Sequence, residues 1–208
     1  MMRYFLLYIG FFFSCLVFAD DAGLAEQLAK IETYEAEFIQ KQYSSDKQLQ
    51  KTLIGTIKLK KPQLFFWEVT EPEKLLVVSN GKHVWNFDEE LEQAVKYTLN
   101  HDVKGTPIAL LTSKAEDLDA EYWVERLDAS NCFDEDAYCY QMKPKDPEKG
   151  FDKLHLGLED EKIKFLKVWD VFGNITEYKF EKAKSNMALS DKIFEFKPDE
   201  NIDVVIGN

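Results

Sequence analysis

The chain has 208 residues, a formal net charge of −12, 45% hydrophobic and 14% aromatic residues, and three cysteines. An acidic balance of this size repels phosphate backbones and anionic bilayer surfaces, which disfavours nucleic-acid binding and spontaneous docking on lipid headgroups. Proteins and neutral apolar ligands are the partners it allows.

Arg3 precedes an apolar run from Tyr4 to Phe18, and Val17-Phe18-Ala19 has the pattern of a cleavage site before Asp20. The run is shorter than the roughly 20 residues of a membrane-spanning helix. Residues 1–19 therefore read as a secretory signal peptide, and residues 20–208 as one exported domain long enough for a sizeable core. Cys15 would be acylated only in a lipoprotein, but no leucine stands in Phe12-Phe13-Ser14 before it and the apolar run continues after it. The exported cysteines, Cys132 and Cys139, form an even pair at hairpin spacing and read as a disulfide. A zinc site would need more ligands than they offer, and no metal or cofactor is expected.

Residues 24–39 read as an amphipathic helix, with Leu24, Leu28, Ile31 and Phe38 at helical spacing and Asp20 or Asp21 as its cap. From about Phe38 the period changes to two, and strands are predicted at 38–43, 50–60, 63–70, 74–79 and 82–88. Asn80-Gly81 joins the last two as a hairpin. Within Lys58 to Pro72, Phe65, Trp67 and Val69 share one strand face with Lys61 at its edge, while Lys60, Leu64, Phe66 and Glu68 share the other. One face is thus an apolar wall with a single cation beside it. His83, Trp85 and Phe87 share a face of the next strand; His83 has no nucleophile signature near it and reads as a surface histidine, and His101 and His155 are isolated.

After Leu91 to Tyr97, Thr106-Pro107 starts a short helix through Leu111, and residues 114–119 add another turn or two. The second half returns to strands at 121–128, 137–143, 151–158, 163–170, 174–182 and 192–196. Asn174-Ile175-Thr176 matches a glycosylation sequon, but it lies at a turn where asparagine is favoured anyway. About ten or eleven strands with two or three short helices define a mainly β fold: a strongly curved sheet or incomplete barrel with helices over its open side. A half-closed sheet under a separate lid is a ligand pocket. The chain lacks a G-x-S-x-G elbow, a P-loop, a dinucleotide glycine pattern and a His-Glu-x-x-His helix, so nothing in it supports an enzyme.

Several segments together carry a resemblance: Ile57 to Glu68 followed by Pro72, Ser79 to Trp85, Leu91-Glu92-Gln93, Thr106-Pro107 with Leu110-Leu111, Asp170 with Gly173 to Thr176, Phe194 to Pro198, and Ile202 to Ile206. In this order they resemble the periplasmic outer-membrane lipoprotein carrier family, LolA, over nearly the whole exported chain. The resemblance implies an unclosed antiparallel β-barrel covered by a helical lid. It also implies a cavity for lipoprotein acyl chains and a monomer that shuttles through the periplasm from an inner-membrane lipoprotein-releasing ABC transporter to an outer-membrane receptor. On that basis the pocket is assigned to Leu28, Ile31 and Phe38 on the first helix, Phe65, Trp67 and Val69 on the wall, Trp85, and Ile108 with Leu111 on the second lid. Lys61 stands where the family commonly has an arginine that latches the lid through backbone carbonyls; lysine offers a compact ammonium in place of a rigid five-donor fork. The Cys132/Cys139 pair is a local addition. Three alternatives stay open: a module of the same fold carrying a glycolipid or other apolar ligand, an outer-membrane receptor acylated at Cys15, and a periplasmic enzyme acting on lipid.

Overall fold

A computed structural model describes residues 23–99, 107–112, 115–133 and 137–207. The expected signal peptide, Cys15, the proposed Asp20/Asp21 cap, His101 and Thr106 lie outside the described residues. The first helix, α1, runs only from Leu24 to Ala29, with Gly23 at its N-cap and no capping side chain. So short a helix is unstable alone, and burial of Leu24 and Leu28 holds it in place.

The expected helix to residue 39 is corrected, because Thr33–Tyr43 is a strand, β1. Tyr34, Ala36 and Phe38 are buried while Glu35 and Glu37 point away, the period of two that a half-buried strand requires. Phe38 fits both a helical step from Ile31 and a strand step from Ala36, and strand pairing decides between them. It therefore belongs to the wall and not to the lid.

The remaining strands are β2 (Leu49–Lys60), β3 (Leu64–Glu71), β4 (Leu75–Asn80), β5 (His83–Asp88), β6 (Gln93–Thr98), β7 (Tyr122–Leu127), β8 (Tyr138–Pro144), β9 (Phe151–Glu159), β10 (Lys162–Asp170), β11 (Ile175–Ser185) and β12 (Asp203–Ile206). Among the described residues these form one twelve-stranded sheet in the order β12-β6-β5-β4-β3-β2-β1-β11-β10-β9-β8-β7. Two antiparallel meanders, β1–β6 and β7–β11, are sewn together where β11 pairs with β1, placing Phe180 opposite Phe38. β12 and β7 are the two ends of the order, so the barrel stays unclosed, as expected. Between the meanders lie α2 (Pro107–Thr112) and α3 (Ala115–Glu121). The Asn80-Gly81 hairpin forms as predicted: Gly81 has φ 81°, and the Asn80 carboxamide oxygen accepts from the amides of Lys82 and His83.

Near the C-terminus the predicted strand at 192–196 is instead a 3₁₀ turn, Asp191–Phe194, capped by Ser190. Phe194 and Phe196 imitate strand alternation, yet Phe194 is fully buried and Phe196 packs on Trp85 and Phe87. The true terminal strand, β12, pairs parallel with β6. Its four residues are exposed on both faces, which leaves no alternation to read.

The sheet has a core on each face. On the inner side, α1, α2 and α3 contribute Leu24, Leu28, Leu110, Leu111 and Leu118 to one cluster with Phe38, Phe65, Trp67 and Val69. On the outer side, Val78, Ala94 and Phe194 are buried, and the 3₁₀ turn that carries Phe194 packs on β3 and β4.

Candidate functional site

The floor of the inner face is aromatic. Phe38 stacks on Trp67 with ring centroids 3.8 Å apart and an interplanar angle of 22°, and Tyr178 meets Trp67 edge-on at 5.6 Å. Glycine is required beneath this stack. A Cβ on Gly55 would stand 1.9 Å from the Glu68 carbonyl oxygen and 2.7 Å from the Phe38 ring. Tyr34, fully buried, donates its hydroxyl to the Ile163 carbonyl at 2.6 Å and joins the two meanders across the interior. Burial raises its phenol pKa and pushes that of Tyr178 up to about 12, so both rings stay neutral members of an apolar wall.

Two pieces of the lid meet this wall at the turn from Lys61 to Gln63 that links β2 to β3. The Lys61 ammonium donates to the carbonyl of Leu28, near the end of α1, which also accepts from the Ile31 amide at 3.1 Å. Its backbone N–H donates to Glu32 O at 2.9 Å. Two residues on, Gln63 N–H donates to the Thr112 carbonyl at the end of α2, at 3.4 Å. The buried Ser79 hydroxyl donates to Gln63 O at 2.8 Å and braces the turn from below. Both lid pieces are thus hydrogen-bonded to one turn whose next strand carries Phe65, Trp67 and Val69. Burial lowers the Lys61 pKa, and the carboxylate of Glu32 offsets part of that shift.

Of the residues assigned to the pocket from the sequence, Leu28, Ile31, Phe38, Phe65, Trp67, Val69 and Leu111 come together in the inner cluster. Ile108 lies on α2, with its side chain outside the described part. Trp85 is a correction, since it stands on the outer face. Phe65 pairs with Ser79 and Ser79 with Val84, so Val84 is the inward residue of β5. Trp85 points the other way, 5.4 Å from the Phe196 ring and 5.2 Å from the Lys96 ammonium. Cys132 and Cys139 are joined as expected, with Cα atoms 5.7 Å apart, and Cys139 sits on β8.

Sequence reasoning missed the bridge from Gln27 of α1 to the Tyr140 hydroxyl of β8, at 2.7 Å. The signal available for it was a glutamine beside the buried Leu24/Leu28 stripe of so short a helix. Leu118 of α3, 1% exposed, was also missed, although its leucine among acidic residues marks the side that faces inward.

An unclosed sheet with an aromatic inner face, hydrogen-bonded to short helices that pack over it, has the architecture of a lidded binder of apolar ligands. Residues 29–197 match the family described as Outer membrane lipoprotein carrier protein LolA, and the chain belongs to that family. The outer-membrane lipoprotein carrier protein of Hahella chejuensis is 31% identical over 190 residues, covering 90% of both chains. That of Azotobacter vinelandii is 32% identical over 183 residues, 88% of this chain and 86% of the relative. An uncharacterized conserved protein of solved structure from Thermus thermophilus has a TM-score of 0.52 at 14% identity over 88% of this chain and 94% of that one, a likeness of fold alone.

Proposed function

We propose that this protein is a periplasmic chaperone that shields the acyl chains of lipoproteins released from the inner membrane and delivers them to the outer membrane. Moving an acyl chain of about 16 carbons from bilayer to water costs on the order of 12 kcal/mol at ~0.8 kcal/mol per methylene. A lipoprotein therefore needs an apolar shelter to cross an aqueous space. The observation that carries the proposal is the Lys61–Leu28 hydrogen bond, which closes a leucine-lined lid over the Phe38/Trp67 floor. In the closed state lid side chains occupy the face that cargo needs, so entry displaces them and delivery lets them return. Leu28, Ile31, Phe38, Phe65, Trp67, Val69, Ile108 and Leu111 are the residues proposed to receive the chains.

The chain has no nucleotide-binding motif. The energy for loading is assigned to a partner, an inner-membrane ABC transporter, and unloading to an outer-membrane receptor with a better apolar site. Family membership supports lipoproteins over other apolar cargo. Purifying the protein from the periplasm under non-denaturing conditions, with mass spectrometry of what accompanies it, tests this. Acylated lipoproteins are expected, and a glycolipid in their place would overturn the assignment.

A further inference from the structure

The joint between lid helix α1 and wall strand β1 is fastened from two sides. Residues Leu28 to Thr33 make the change of direction, and several of their backbone groups are bonded by residues outside both elements. Lys61 serves one side, through its ammonium to Leu28 O and its amide to Glu32 O. Asn186, just beyond β11, serves the other. Its Nδ2 donates to Lys30 O at 2.9 Å, its Oδ1 accepts from Glu32 N at 2.9 Å, and its own amide donates to Thr33 O at 2.9 Å. Thr33 returns a bond, its hydroxyl donating to Met187 O at 2.7 Å.

Asn186 reaches all three peptide groups because its backbone is left-handed, φ 59°, a region that asparagine tolerates better than most residues. Beyond the joint, α1 is tied to the far wall by Gln27 and Tyr140. α2 meets the same turn by the longer Gln63–Thr112 bond.

We propose that Asn186 is a positioning residue of the carrier: together with Lys61 it clamps the joint between α1 and β1 and holds α1 more firmly closed than α2 and α3, so that loosening either side of the clamp eases cargo entry. The proposal rests on the carrier function above for the nature of the cargo, whereas the clamp itself does not depend on it.

Asn186→Gly tests it, because glycine keeps the left-handed backbone and removes the carboxamide's two bonds to the joint together with its longer one to Glu161 at 3.4 Å. Amide exchange followed by mass spectrometry on the full exported chain should find α1 more protected than α2 and α3 in the wild type. In the variant, exchange across residues 24–32 should rise about fivefold or more, the equivalent of one ordinary hydrogen bond. Amides of β1 and β11 away from the joint should keep their wild-type protection. A general loss of stability would raise them as well and would assign Asn186 a merely structural role. Unchanged α1 exchange in the variant, or wild-type α1 exchanging as fast as α2, would overturn the proposal. A second arm follows uptake of a fluorescent naphthylamine probe, expected to be faster in Asn186→Gly. A wild type that takes up no probe would count against the carrier function, while the exchange data would still decide the clamp.

Discussion

The Lys61 ammonium donates to the carbonyl oxygen of Leu28, so the cation at the end of the wall strand is bonded to the lid helix above it. A charge-assisted bond of this kind contributes about 1.5–3 kcal/mol, reduced here by the partial burial of the amine. Lys61→Leu should therefore speed uptake of an apolar fluorescent probe by about tenfold and slow its release to an acceptor, as measured by stopped-flow fluorescence. Lys61→Arg should keep the lid shut, since a guanidinium reaches the same carbonyl with donors to spare.

The same lysine makes closure pH-dependent. With the lid closed its pKa lies below the ordinary 10.5, mainly through burial, whereas with the lid open or the chain unfolded it returns towards that value. Between the two values the open and unfolded forms bind more protons than the closed form, so raising the pH through this alkaline window favours the closed, folded state. Probe affinity should fall across that window in the wild type. In Lys61→Arg, whose side chain does not titrate there, it should stay flat.

The two faces of the sheet predict opposite outcomes for two aromatic residues. Phe65 lies in the inner cluster and Trp85 outside it. Phe65→Glu should abolish probe binding, and the milder Phe65→Ala should weaken it in a chain that still melts cooperatively. Trp85→Ala should leave probe binding unchanged while lowering the melting temperature, because it strips the packing partner from Phe196. Loss of probe binding in Trp85→Ala would place part of the site on the outer face.

Gly55 tests the floor from beneath. A valine there meets the Glu68 carbonyl and the Phe38 ring, neither of which can retreat without breaking the β2–β3 ladder or the stack on Trp67. Gly55→Val should destabilise the fold by about 3 kcal/mol or more, read from a denaturant midpoint. Gly150→Ala, at a position with φ 76° and open space around it, should cost less.

How much of this could be read from the chain differs from residue to residue. Phe65, Trp67 and Val69 were legible because a period of two between Pro62 and Pro72 fixes their common face by local geometry. Asn80-Gly81 announced its hairpin for the same local reason. Trp85 was misplaced because its face depends on register carried from Phe65 through Ser79 to Val84, and a fully buried serine in that row hides the pattern. Phe38 obeyed two periods at once. The bond between Lys61 and α1 came from likeness to a family and not from spacing, and no spacing could have located Asn186, whose partners lie 154 and 156 residues away.

Lipoprotein carriage is tested most directly by depleting the protein in its own host and separating inner from outer membranes. Outer-membrane lipoproteins should accumulate in the inner-membrane fraction, with rescue by the wild type and not by Phe65→Glu. Normal delivery of lipoproteins to the outer membrane after depletion would contradict the central claim.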